Sequence, residues 1–268
     1  MNDAPSPLLP SPSGPLLVGV VHVPPLPGSP RSEGIDNAVR AALTDAAALV
    51  SGGMNALIVE NYGDAPFFKE SVPPVTVAAL TRVATLLREA HPDVPLGSNV
   101  LRNDAAAAVS IATVVGARFV RVNVHTGSAY TDQGWIEGKA AETLRLRAQL
   151  GGDVAIYADV AVKHATLPPG FDLAQSARDC AARGGADALI VTGNATGAAI
   201  DTGTIDTVRD AVGAHPIIVG SGVDVENASV VLAKADGAIV GTSLKRDGRV
   251  GAPVDVDRVR RLVAAVRD

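Results

Sequence analysis

Cysteine is almost missing from this chain: Cys180 stands alone. No intrachain disulfide can form, and a reducing compartment suits the sequence. Cys180 lies in the apolar helical run AQSARDCAARGG, which reads as a buried helix position and not as a nucleophile. Aromatic residues make up only 3% against 47% hydrophobic residues. This argues against a stacking surface for single-stranded nucleic acid and calls for an aliphatic core of Val, Ile, Leu and Ala, as parallel strands buried on both faces require. Lys and Arg number 23 against 28 Asp and Glu, a net charge of −5, with no dense basic block. Nucleic acid is therefore not expected as a partner. No uninterrupted apolar run reaches the roughly 18 residues of a membrane span. The longest candidate, AAAAVSIATVVGARFV, breaks at Ser110, Thr113, Gly116 and Arg118, so membrane insertion is not expected either. The opening MNDAPSPLLPSPSGP carries Pro and Ser where a secretory signal has a basic stretch and a long apolar core. Residues 1–15 read as a disordered tail, and a cytoplasmic location is expected.

What the chain does have is alternation. Apolar runs of strand length fall at residues 16–22 (LLVGVVH), 56–61 (ALIVEN), 95–100 (PLGSNV), 118–124 (RFVRVNV), 154–160 (VAIYADV), 188–193 (ALIVTG), 216–222 (PIIVGSG) and 237–243 (GAIVGTS). Helical stretches lie between them, among them DNAVRAALTDAAALVSGG, NDAAAAVSIATVVGA, GKAAETLRLRAQLGG and DTVRDAVGA, and VDVDRVRRLVAAVRD closes the chain. Several end at Gly, the usual left-handed cap. Eight strands, each followed by a helix, predict an α/β fold of the (β/α)8 TIM-barrel type over residues 16–268 as a single domain, since such barrels run to about 250 residues. A doubly wound open sheet is the alternative, but no GxGxxG turn follows the first strand. The phrases GGMNALIVEN, GARFVRVNV, GGADALIVTG and KADGAIVGTS repeat a helix-to-strand entry, which reflects loop geometry before it reflects duplication.

Two consecutive strand ends near the C-terminus are glycine turns. Gly220, Ser221 and Gly222 close one, and Gly241, Thr242 and Ser243 close the next. In a barrel this is where backbone N–H groups commonly hold a phosphate, with the hydroxyls as added donors.

Polar residues gather at the other strand ends: His22, Glu60, Asn61, Asn99, Arg102, Asn123, His125, Asp159, Lys163, His164 and Thr192. Glu60 and Asp159 are the expected acid and base, since two carboxylates sharing the mouth would raise one another's pKa. Lys163 and His125 are expected to stabilise developing negative charge. Lys163 as the neutralising partner of the carboxylates stands beside Lys163 as a Schiff-base nucleophile, and both stay open. His22, Asn61, Asn99, Arg102, Asn123, His164 and Thr192 are expected to orient substrate. His22, His125 and His164 lack HxH or HExxH spacing, so no cofactor is assigned and a divalent metal stays open. The loop VHVPPLPGSPR, stiffened by Pro24, Pro25, Pro27 and Pro30, reads as a rigid rim.

The motifs GVVHVPPLPGSPR, VENYGDAPF, NVLRNDAAAA, RVNVHTG, TDQGWIEGKAAETLR, ADVAVKHA, IVTGNATG, VGSGV and GAIVGTSLKRDG resemble those of the BtpA family, also called BtpA/SgcQ. The resemblance runs from about Leu16 to about Val263. It implies a (β/α)8 barrel related to the phosphate-binding barrels, and a family name drawn from photosystem I biogenesis; it carries over no catalytic residues. Ala161 departs from relatives, which often have a histidine or another polar side chain there. The expected function is an enzyme using acid/base chemistry on a small phosphorylated metabolite, a sugar phosphate or nucleotide-related compound. Lyase, isomerase and glycosidic-bond chemistry stay open, as does homo-oligomerisation. The alternatives are a non-catalytic assembly factor for a membrane complex such as photosystem I, and a phosphate-ligand sensor.

Overall fold

The computed structural model describes residues 14–162, 165–193 and 201–267. Nearly all of the opening segment read as a disordered tail lies outside the described residues. Each apolar run contains a strand, namely β1 (Leu16–His22), β2 (Ala56–Glu60), β3 (Leu96–Asn99), β4 (Phe119–Val122), β7 (Ala155–Asp159), β8 (Ala188–Val191), β9 (Ile217–Val219) and β10 (Gly237–Val240). They pair in parallel in the order β1-β10-β9-β8-β7-β4-β3-β2 and close into a barrel. Around it lie α1 (Ile35–Gly52), α2 (Pro74–Ala90), α3 (Ala105–Val115), α4 (Ala140–Gln149), α5 (Leu173–Arg178), α6 (Thr202–Val212), α7 (Ala228–Leu232) and α8 (Val256–Arg267). The strand pattern did not anticipate β5 (Ser128–Thr131) and β6 (Gly134–Glu137), an antiparallel hairpin inserted after β4. Its strands are too short to stand out as apolar runs.

The repeated helix-to-strand phrases have a shared physical job. Asn55 Oδ1 accepts from the backbone N–H of Leu17 at 2.7 Å, Asp187 Oδ2 from Ile156 at 2.7 Å and Asp236 Oδ2 from Ile217 at 2.8 Å. In each, the polar residue just before a strand receives an N–H at the start of the strand before it in the barrel, where the parallel ladder has not yet supplied a partner. The fourth phrase has Arg118 at that point and departs from the pattern.

Period-two alternation sends Val18, Val20, Ile58, Phe119, Tyr157, Ile190, Ile218 and Ile239 into the barrel interior, while a larger aliphatic layer packs between strands and helices. The Phe119 and Tyr157 rings stack with centroids 4.7 Å apart. Gly97 makes the space they use: a Cβ there would fall 2.3 Å from the Phe119 ring. The inward phase that plugs the barrel with this stack continues upward into polar residues at the carboxyl ends of the strands.

A buried histidine, His125, and a half-buried one, His215, give the fold a pH dependence. Burial lowers the pKa of His125, and of His215, below the ordinary value. Above the ordinary value of about 6.5 both states are neutral; as pH falls below it the unfolded chain takes up protons first, so stability falls toward the depressed folded values. The melting temperature should therefore decline below about pH 6.5. His125→Asn together with His215→Asn should flatten that decline, and an unchanged slope would remove these groups as its cause.

Candidate functional site at the barrel mouth

Register sets the first row of the site. His22 on β1 is level with Glu60 on β2, and Glu60 with Asn99 on β3. Asn99 Nδ2 donates to Glu60 Oε2 at 2.6 Å, in a buried contact. On β4 the inward phase passes through Phe119, Arg121 and Asn123, and on β7 through Ala155, Tyr157 and Asp159.

Arg121 is the residue that sequence reading passed over, because it sits in the middle of an apolar strand and not at its end. Its parity with Asn123 was the available signal. Its Nε donates to Asp159 Oδ1 and its Nη2 to Asp159 Oδ2, both at 2.9 Å, a bidentate pair whose side chains are 5% and 0% exposed. Burial disfavours the Arg121 charge, but Asp159, by charge and hydrogen bonding, and Glu60, by charge, outweigh it and raise its pKa. Asn123 Nδ2 lies 3.4 Å from Asp159 Oδ2. Lys163, for which neutralising the carboxylates is one of two open roles, lies with His164 outside the described residues; among the described residues the charged partner of Asp159 is Arg121.

A cleft of about 1170 Å³ opens over this cluster, lined by His22, Glu60, Arg102, Arg121 and Asn123 and by both glycine turns. Asn99 and Asp159 stand behind it as partners of Glu60 and Arg121. Arg102 lines it beside Asp132 of the hairpin, 3.9 Å away. Three of the expected residues have other tasks. Asn61 points away from the mouth: its Oδ1 accepts from Leu101 N–H at 2.7 Å and its Nδ2 donates to Asp64 Oδ2 at 3.1 Å. His125 lies past the end of β4, where strand parity no longer holds, and its Nε2 sits 2.8 Å from the Gly184 carbonyl, fully buried. Thr192 donates its hydroxyl to the Ala161 carbonyl at 3.0 Å.

The turns divide their labour. Gly220 is needed by the barrel as much as by any ligand, since a Cβ would fall 2.4 Å from Ile190 and 3.1 Å from the Arg121 guanidinium. Gly222 has φ 77°, a left-handed conformation that favours glycine. A Cβ on Gly241 would meet the His22 ring at 2.5 Å, so that glycine is what lets the imidazole lie against the turn. Thr242–Leu244 form a single 3-10 turn, and Ser243 has already donated its hydroxyl to the Val223 carbonyl at 2.7 Å. Ser221 Oγ and Asn123 Oδ1 are buried with no hydrogen-bond partner among the described residues, and both residues line the cleft.

Burial pushes the Cys180 thiol up to about 11, so it holds its proton. Among the described residues no three His, Cys, Asp or Glu side chains gather as metal ligands, and no helix is long and apolar enough to cross a membrane.

The sequence pattern of the BtpA family matches residues 14–268. The chain is 46% identical over 253 residues to an uncharacterized protein of Thermococcus kodakarensis, covering 94% of this chain and 95% of the relative. It is 43% identical over 253 residues to the photosystem I biogenesis protein BtpA of Synechocystis, covering 94% and 88%. Among solved structures, a native KDPGal structure superposes with a TM-score of 0.58 at 15% identity, covering 94% of each chain. Phosphoribosyl anthranilate isomerase from Thermus thermophilus gives 0.57 at 13% identity, covering 94% and 98%. At such identities these two structures speak for the barrel fold alone.

Proposed function

The chain belongs to the BtpA family, and we propose that it is an enzyme acting by acid/base chemistry on a small phosphorylated metabolite held across the barrel mouth. The observation that carries this reading is the pair of orphan atoms, Ser221 Oγ and Asn123 Oδ1, buried in one cleft. A buried polar group without a partner costs about 1–3 kcal/mol, so both await a ligand or water that pairs with them. Ser221 belongs to the first glycine turn, and Asn123 stands beside the Arg121–Asp159 pair.

The roles follow from these partners. The Ser221 hydroxyl, the Thr242 hydroxyl and backbone N–H groups of the two turns hold the phosphate. Glu60, held through one oxygen by Asn99, is the carboxylate placed to move a proton. Both oxygens of Asp159 are engaged by Arg121, so Asp159 keeps the guanidinium charged and in place, and Arg121 faces negative charge that develops on the substrate. His22 and Asn123 orient the substrate beside them. An assembly factor, which the name of the Synechocystis relative invites, would have no use for such a buried polar ring.

Calorimetric titration with inorganic phosphate tests the anion site. Wild-type protein should bind it, Ser221→Ala should weaken binding several-fold, and Gly241→Val, by driving His22 off the turn, should weaken it tenfold or more. Absence of phosphate binding, or binding that both variants leave unchanged, would refute the site.

A further inference from the structure

The polar ring and the glycine turns account for only part of the cleft lining. Beyond His22, Glu60 and Asn99, the loops after β1, β2 and β3 present Pro24, Pro25, Tyr62, Phe67 and Leu101 to it. The chain has four Phe, three Tyr and one Trp, and two of these scarce rings line this one wall.

The wall is tied together by specific contacts. A Cβ on Gly63 would fall 2.4 Å from Pro25 N and 2.5 Å from the Pro24 carbonyl carbon, so this turn packs directly on the proline backbone. Gly63 N–H donates to the Val23 carbonyl at 3.0 Å. Asp64 Oδ1 accepts from Leu26 N–H at 2.8 Å, and Asn61 joins Asp64 to the Leu101 N–H on the third loop. Burial, only partly opposed by these hydrogen bonds, raises the pKa of Asp64. Three loops are thus cross-linked through Asn61 and Asp64, and the Pro-Pro step leaves little backbone freedom. Tyr62 is further fixed edge-on to the His22 ring, with centroids 5.0 Å apart. Around the barrel β1, β2 and β3 stand across from β7, β8 and β9, so the loop after β3 faces the first glycine turn, while Tyr62 reaches toward the second through His22, which lies against Gly241.

A rigid surface of proline, aromatic and leucine side chains offers apolar area at little entropic cost and recognises flat, apolar faces. We propose that this wall is a subsite for a flat unsaturated ring carried by the substrate, so that the substrate is a phosphorylated glycoside with a planar substituent, the chemistry of a nucleotide, and not a bare sugar phosphate. Such a molecule would set its anion at the β9 and β10 turns and its planar group against Tyr62 and Phe67, with Glu60, Arg121 and Asn123 of the same cleft left to meet its sugar. The position of the anion rests on the function proposed above; the wall is argued from its own residues.

The test is calorimetric titration of the full chain with ribose 5-phosphate, adenosine 5′-monophosphate, uridine 5′-monophosphate and the neutral nucleosides adenosine and uridine. At least one nucleotide should bind tenfold or more tightly than ribose 5-phosphate. Phe67→Ala, on a half-buried loop side chain, should erase most of that advantage while changing ribose 5-phosphate affinity less than twofold; Tyr62→Ala gives the same readout at an independent position, and melting curves confirm that both variants are folded. Equal affinity for nucleotides and ribose 5-phosphate would overturn the subsite, as would variants that weaken both alike. If no phosphate compound binds but a neutral nucleoside does and Phe67→Ala abolishes it, the wall stands and the anion site falls. If nothing binds, both fall.

Discussion

Asp159→Asn is expected to unfold far more easily than the wild-type protein, by about 3–5 kcal/mol, the usual cost of removing one partner from a buried ion pair. The Arg121 guanidinium and the Asp159 carboxylate are almost wholly out of water and meet through two hydrogen bonds. Asn offers one acceptor in place of two and no charge, so the guanidinium keeps its charge with only the more distant influence of Glu60. For a domain of this size the loss corresponds to roughly 10 °C in melting temperature. A double variant, Arg121→Met with Asp159→Leu, should regain much of the stability, because replacing both charges removes the desolvation penalty along with the pair. An Asp159→Asn melt within two degrees of wild type, a margin of about 0.8 kcal/mol on this scale, would show that the pair does not hold the mouth together. Any fall in turnover in the single variant must accordingly be measured on the folded fraction.

The second large effect is expected at the seam of the barrel. Lys245, 2% exposed, follows β10 and donates through Nζ to Asp45 of α1, whose other oxygen accepts from Val254 N–H at 2.8 Å. Lys245→Met should cost about 3 kcal/mol or more by leaving the Asp45 carboxylate buried with one N–H to answer it. Asp45→Asn in the same chain should recover part of the loss. Chemical denaturation of both variants beside the wild type reads the two effects, and a Lys245→Met deficit that Asp45→Asn leaves undiminished would contradict the orphan-charge account.

Much of this architecture is legible in the residues, for a physical reason. Strands buried on both faces must be apolar throughout, so ALIVEN or GAIVGTS can hardly be anything else once helices flank them. The hairpin Ser128–Glu137 was harder to see: SAYT and GWIE each have four residues, and only the Gly134 turn and the Tyr130–Trp135 cross-strand pair mark them. At the mouth, Glu60, Asn99 and Asp159 end strands on the inward phase and Asn123 lies one residue past β4 in the same phase, so position alone places them. Arg121 could not be found that way, since it lies one step lower in an otherwise apolar run. His125 shows the opposite limit. It has the parity of Asn123, but the strand has ended, and the chain carries the imidazole out to Gly184. Asn61 is on the outward phase and serves the loops instead. Ser243, whose hydroxyl is taken by Val223, was legible as part of a turn but not as a committed donor.

The pairing of β1 with β10 also bears on how the protein is made. Leu16 matches Gly237 in register, so one edge of the first strand waits for almost the whole chain before its partner exists. During synthesis from the N-terminus, β1, β2, β3 and β4 emerge early, but β1 keeps an unpaired edge and the inward side chains lack the opposite wall until β10 leaves the ribosome. Contacts of such long sequence separation form late and slow folding. The open edge is a site where a second nascent chain can add a strand, and the step that ends that exposure is the arrival of the last barrel strand with Lys245 just behind it.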